Sequence, residues 1–118
     1  DKPNKVPRGE FVAKIADLLA DIQQNLFNRA AALRKQSTVN IDSLAEFEKY
    51  FTPKNADNPE IHGGLAYCLF VDSPTMDEKL KELKATVRCI PIDGEDEPGK
   101  CIFTGRPSTK RGVFAKSY

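Results

Sequence analysis

Apolar residues recur every three or four positions at Phe11, Ile15, Leu18, Ile22 and Leu26, and Val12, Leu19, Leu26 and Leu33 add a line at intervals of seven. This spacing gathers apolar side chains on one side of a helix and predicts an amphipathic segment from about Glu10 to Lys35. At about 1.5 Å per residue it would run roughly 35–40 Å, more than a small core covers along its full length. Part of the stripe is therefore expected to face a neighbour outside this chain. Pro3, Pro7 and Gly9 interrupt a stretch without apolar period, so residues 1–9 read as a linker from something upstream.

Ser43 and Glu46 stand at capping-box spacing, and Leu44, Phe47 and Phe51 share one face, which predicts a second, shorter helix. Residues 52–60 are rich in breakers and form a loop. Gly63 and Gly64 open an apolar run, Leu65 to Val71, that reads as a strand buried on both faces. Ser73 and Pro74 suit the N-cap and first turn of a third helix, whose inner stripe is Met76, Leu80 and Leu83. Thr86 to Ile90 is the next predicted strand, closed by Pro91. Lys100–Phe103 and Gly112–Ala115 read as two further short strands. The expected fold is α+β: a long N-terminal helix, then a two-layer sandwich with a small mixed sheet.

A chain of 118 residues with 40% hydrophobic residues supports one domain and one modest core. Lys and Arg number 18 against 17 for Asp and Glu, which excludes a strongly basic nucleic-acid tail or an acidic solvating segment. No apolar run approaches the roughly 18–20 residues of a membrane span. The chain opens without Met and without a signal peptide, so it is expected to be a piece of a longer, cytoplasmic protein. Three cysteines cannot all pair, in keeping with reduced thiols.

Charge is unevenly placed. Asp93, Glu95, Asp96 and Glu97 crowd one turn, while Lys100, Arg106, Lys110, Arg111 and Lys116 follow without a side-chain acid. The basic segment could meet phosphate; the plainer reading is a solvated hairpin balanced by the acidic loop beside it. Cys68, Cys89 and Cys101 lack the close pairing of a zinc knuckle, and His62 is the single histidine, read as a surface loop residue. Cys89 reads as a small core residue. No nucleophile elbow or phosphate loop is present, so no complete active site is expected. The end is distinctive: Val113 to Tyr118 finishes on an aromatic ring beside a free carboxylate, a pair able to fill a pocket with apolar and charged groups together.

The stretch Leu83-Lys84-Ala85-Thr86-Val87-Arg88-Cys89-Ile90-Pro91 resembles a signature of prolyl-tRNA synthetases of the archaeal/eukaryotic-like class. So does Gly99-Lys100-Cys101-Ile102, with Gly105, Pro107, Arg111, Val113 to Lys116 and the terminal Tyr118. Upstream, Leu18-Leu19-Ala20-Asp21-Ile22-Gln23 and Leu26 look like a helix of the same family. The resemblance covers about Pro7 to Tyr118 and is specific in order and spacing.

The resemblance implies the C-terminal domain of such a synthetase, with residues 10–118 as a degenerate zinc-binding-like domain following an anticodon-binding domain. It implies a parent proline–tRNA ligase that activates proline with ATP and Mg and transfers it to tRNA(Pro), typically as a homodimer. The catalytic and anticodon-binding domains would be partners in the same chain, and no catalytic or cofactor-binding residue would lie in these positions. Many members bind zinc on four cysteines; the corresponding positions here are Cys68, Ser73, Cys101 and Thr104. Two hydroxyls are poor zinc ligands beside thiolates, so zinc is expected to be absent. The family places its terminal tyrosine near the catalytic centre, which would make Lys116 and Tyr118 a supporting tip. The other readings are an independent RNA-binding module and a purely structural unit derived from a zinc ribbon.

Overall fold

Two serines start two helices. In the computed structural model, which describes residues 5–58 and 61–117, Ser43 accepts the Glu46 amide at the start of α2 (Leu44–Phe51). Ser73 accepts the Met76 amide at the start of α3 (Pro74–Leu83), with Pro74 at the first position. Both caps satisfy donors a helix leaves open. The helices present the expected faces: Phe47 and Phe51 from α2, and Met76, Leu80 and Leu83 from α3, are buried. Lys79 bridges them by pairing with Glu48 at 2.8 Å, and its hydrogen bonds to Glu48 and Glu82 push its ammonium pKa up.

The chain divides into two compact units, residues 1–35 and 36–118. The first is dominated by α1 (Arg8–Gln36), which begins two residues inside the stretch read as linker. None of its residues is buried, and Phe11, Val12, Leu18, Leu19, Ile22, Leu26, Phe27 and Leu33 are exposed. The helix is amphipathic as its period predicts, and no apolar side chain of the stripe is buried.

The second unit carries a four-stranded sheet in the order β1 (Thr38–Asn40), β2 (Leu65–Leu69), β6 (Arg111–Lys116), β3 (Ala85–Cys89). β1 runs parallel to β2, and β6 is antiparallel to both of its neighbours. A separate ribbon pairs β4 (Gly99–Lys100) with β5 (Pro107–Ser108). The mixed sheet and α+β class agree with expectation; β1 and β5, three and two residues long, correspond to no expected strand.

Three predicted strands change. β2 stops at Leu69 because the next carbonyls turn to the 101–108 loop: Ile102 donates to Leu69 at 3.0 Å and the Ser108 hydroxyl to Phe70 at 2.8 Å. The strand expected over Lys100–Phe103 ends at Lys100. There the chain reverses, with Cys101 donating to Arg106 and Gly105 to Cys101, both at 2.8 Å. Gly105 sits at φ +71, a left-handed conformation that glycine adopts without a Cβ clash. β3 is shifted one residue earlier than expected and is bulged between Val87 and Cys89.

The core lies where α2 and α3 meet the inner face of the sheet. Phe47, Phe51, Phe114 and Cys68 are fully buried. Phe47 stands edge-on to Phe103 and Phe114 at 5.2 and 5.4 Å. Truncating such a ring costs about 3–5 kcal/mol, so this aromatic cluster is the main anchor of the unit.

Candidate functional site

The end of β6 is tied to three other elements. The Lys116 ammonium donates to the Phe51 carbonyl at 2.5 Å, at the last turn of α2. The Arg88 guanidinium donates to the Lys116 carbonyl at 2.8 Å. Ser117 donates through its amide at 2.8 Å and its hydroxyl at 3.1 Å to the Lys84 carbonyl. Lys84 caps α3 at φ 50, ψ 43, the one non-glycine with positive φ among the described residues. Such a conformation costs about 1–2 kcal/mol outside glycine. Lys116, expected to support a functional tip, is thus a fixed point at the end of β6, whereas Tyr118 lies outside the described residues. A cleft lined by Phe51, Pro53, His62, Leu83, Lys84 and Ser117 flanks this end.

The segments around Cys68–Ser73 and Cys101–Thr104, expected to correspond to zinc positions, also meet. Besides the Ile102–Leu69 bond, the sulfur of Cys101 accepts hydrogen bonds from the Thr104 hydroxyl and from the amides of Phe103, Thr104 and Val71. Burial pushes this thiol up, and those donors together outweigh it, leaving a net downward displacement. Cys68 is different: burial dominates and pushes its thiol up to about 12, with Arg111 and Asp42 acting in opposite directions. Both thiols are free and buried.

The donor set does not fit structural zinc. The Ser73 hydroxyl is occupied as the cap of α3, and the Thr104 hydroxyl oxygen accepts the Arg106 amide at 3.4 Å. Only two thiols remain, one of them held neutral by burial, and zinc needs about four soft or imidazole donors. Among the described residues, no group of three or more His, Cys, Asp and Glu is arranged to hold a metal ion.

Arg111, at the start of β6, organises the far end of the sheet. Its guanidinium meets Glu97 at 2.7 and 2.8 Å, Asp42 at 2.6 Å and the Tyr67 carbonyl at 3.1 Å. The hydrogen bond from Arg111 holds the Glu97 carboxyl below its ordinary range, and the Glu97 bond pushes Arg111 up. Lys110 faces Asp96 at 3.7 Å. The acidic loop therefore balances the basic strand beside it.

Two other expectations are corrected. Cys89 is exposed, not a core residue, because the bulge after Val87 shifts its register. His62 is half-buried: its ring centroid is 4.6 Å from Tyr50 and 5.3 Å from Phe51, and Nδ1 accepts the Gly64 amide at 3.4 Å. A Cβ on Gly64 would collide with the Tyr50 hydroxyl, so glycine is required for this packing. Lys84, Arg88, Asp42 and Glu97 were not singled out as site residues. Their partners lie 14 to 69 residues away, beyond any local pattern.

A family model described as "Prolyl-tRNA synthetase, C-terminal" matches residues 59–118. A proline–tRNA ligase of Protochlamydia amoebophila is 40% identical over 114 residues, covering 96% of this chain and 22% of the relative. Proline–tRNA ligase 2 of Anaeromyxobacter dehalogenans is 48% identical over 118 residues, covering 96% and 23%. This chain thus spans less than a quarter of the length of these relatives. The crystal structure of a Cryptosporidium parvum prolyl-tRNA synthetase, complexed with halofuginone and AMPPNP, superposes with a TM-score of 0.77. At 22% identity over 96% of this chain and 23% of the other, that likeness speaks to the fold.

Proposed function

Because this chain belongs to the prolyl-tRNA synthetase C-terminal family, we propose that it acts as the non-catalytic C-terminal domain of a proline–tRNA ligase. The parent enzyme would activate proline with ATP and Mg, then pass it to tRNA(Pro), as a cytoplasmic homodimer. Among the described residues, no helix is long and apolar enough to cross a membrane. The reading rests on one observation: nearly the whole chain aligns, at 40–48% identity, with under a quarter of two such ligases.

Within that enzyme the domain would follow the anticodon-binding domain, entered through residues 1–9, and the exposed apolar stripe of α1 would meet the rest of the chain. Its work would be to present Tyr118 to the catalytic centre, buttressing the site without taking part in bond making. Lys116 supports this role by anchoring β6 on the Phe51 carbonyl. The domain would do this without zinc, on packing and hydrogen bonds, since hydroxyls of Ser73 and Thr104 stand where the family resemblance implies thiols.

An independent RNA-binding role is not favoured. Two of the five bases in the segment are paired with acids, Arg111 with Glu97 and Asp42 and Lys110 with Asp96, and the Lys116 ammonium is turned to the Phe51 carbonyl. The test is proline-dependent ATP–pyrophosphate exchange by the full enzyme, intact and with Tyr118 removed. A large loss of exchange with unchanged folding is expected; an unchanged rate would reduce Tyr118 to a structural end.

A further inference from the structure

β3 is the last strand of the sheet, with β6 as its one neighbour among the described residues. Ser117 donates to the Lys84 carbonyl across this pair. Along an antiparallel ladder such bonded pairs alternate with unbonded ones. The register makes Thr86 and Ala115 the next bonded pair, so the backbone groups of Ala85 and Val87 point away from β6. β2 gives the same phase: Leu65 donates to Ser37 and Tyr67 accepts from Ile41, which turns Ala66 toward Phe114 and Phe114 away from Val87. Among the described residues, no backbone bond from another element reaches Ala85 or Val87. A bare edge is a template for pairing, and proteins cover it, charge it or bend it. Ala85, Thr86 and Val87 carry no charge, and the bulge bends the strand only after Val87.

Beside this edge, between β3 and α3, runs a groove of about 990 Å³ with Phe70, Met76, Leu80, Val87 and Ile90 along it. Ile90 is 48% exposed, a large apolar side chain left open on one side. Thr86 lines the same groove, and its hydroxyl oxygen is shut off from solvent without a hydrogen-bond partner among the described residues. A buried polar atom in that state is uncommon and costs stability until a partner satisfies it. Asp72 and Asp77 balance Lys81 and Lys84 around the groove, so it offers no net charge to a polyanion.

We propose that the β3 edge and this groove receive an extended segment of the parent ligase from outside these 118 residues, added as a further strand beside Val87. Main-chain bonds to Ala85 and Val87 would hold it, and its side chains would alternate, one toward Met76 and Leu80 and the next toward Thr86. The occupant follows from length. This chain spans under a quarter of its relatives, so the rest of such a ligase is tethered to the groove and present at high effective concentration. A neutral apolar groove along a bare strand edge suits an extended protein segment, not a nucleic acid. The inference rests on the reading above, that these residues are one domain of a proline–tRNA ligase, and adds where another part of that ligase docks.

The test uses the full-length ligase. A photo-crosslinking benzophenone amino acid takes the place of Ile90, and the crosslinked peptide is identified by mass spectrometry. The expected product joins this position to a segment outside residues 1–118. Hydrogen exchange is then read residue by residue in the native enzyme and in Ile90→Glu, which puts a charge into the groove. The Ala85 and Val87 amides are expected to exchange roughly tenfold faster in the variant. Thr86 and Phe114 should not change, because the sheet itself holds their amides. Proline-dependent ATP–pyrophosphate exchange is followed on the same native preparation.

A crosslink that falls within residues 1–118, of the same or a second copy, overturns the docking, and so does the absence of any crosslink. Ala85 and Val87 amides that exchange alike in both enzymes overturn it too. Acceleration that extends equally to Thr86 and Phe114 would make Ile90 a general stabiliser, with the same consequence. If pyrophosphate exchange is absent, the functional reading fails, and the crosslink and the amide rates still decide the docking. If it is present while the crosslink or the amide rates go against the docking, the functional reading stands without it.

Discussion

Arg111 and Glu97 meet through two parallel bonds, Nε to Oε2 at 2.7 Å and Nη2 to Oε1 at 2.8 Å. This fork pins the acidic loop to the start of β6, and the same guanidinium reaches Asp42 and the Tyr67 carbonyl. The Arg111 side chain is 16% exposed, so these bonds are shielded more than an ordinary surface pair. Arg111→Ala should destabilise the chain by about 2 kcal/mol, seen as a fall in Tm of roughly 6–10 °C. Arg111→Lys should recover little, because an ammonium cannot match the fork. Thermal unfolding followed by circular dichroism checks both.

The same pair has a pH signature. Hydrogen bonding to Arg111 lowers the folded Glu97 carboxyl below its ordinary value of 4.5. A group depressed on folding stabilises above its unfolded value and stops doing so as pH falls through its folded value. The stability gap between the native chain and Glu97→Gln should therefore be constant above about pH 5.5 and close as pH falls below about 4. Urea midpoints at stepped pH measure it; a gap that widens on acidification would refute the assignment.

Thiol accessibility separates the three cysteines. Cys89 is exposed, while Cys68 and Cys101 are buried. One thiol per native chain should react quickly with a disulfide reagent, three after denaturation, and Cys89→Ser should remove the fast phase. Cys68 adds an alkaline limit. Its folded value of about 12 lies above the ordinary 9.0, so its contribution is full below pH 9 and is lost as pH climbs toward 12. Cys68→Ala should flatten that alkaline loss.

What could be read from the chain follows the range of each interaction. The caps at Ser43 and Ser73 were legible because partner and acceptor lie three residues apart. The buried faces of α2 and α3 were legible for the same reason. The exposure of Cys89 was not: it depends on a one-residue shift in pairing with β6, and such a shift turns a side chain to the opposite face. β1 escaped because three residues show no period. The site divides similarly. The hydroxyls at Ser73 and Thr104 are visible as residue identities, whereas the Lys84–Ser117 and Arg111–Asp42 contacts close loops of 33 and 69 residues.

The last prediction concerns zinc, because the segments that hold Cys68 and Ser73 and that hold Cys101 and Thr104 lie side by side. Leu69 accepts the Ile102 amide at 3.0 Å, and the Cys101 sulfur accepts the Val71 amide, so the 68–73 and 101–104 segments are joined by hydrogen bonds. The purified chain should hold well under one zinc per molecule, and a chelator should leave its Tm unchanged. Ser73→Cys alone should cost about 1 kcal/mol by weakening the cap of α3 and gain no tight metal. Thr104→Cys alone should gain none either. Ser73→Cys with Thr104→Cys completes four thiols and should bind one zinc, with a Tm that rises with the metal and falls again with chelator. Mass spectrometry of metal content and thermal scans with and without chelator decide it. Stoichiometric zinc in the unaltered chain would show that the hydroxyls had not replaced coordination.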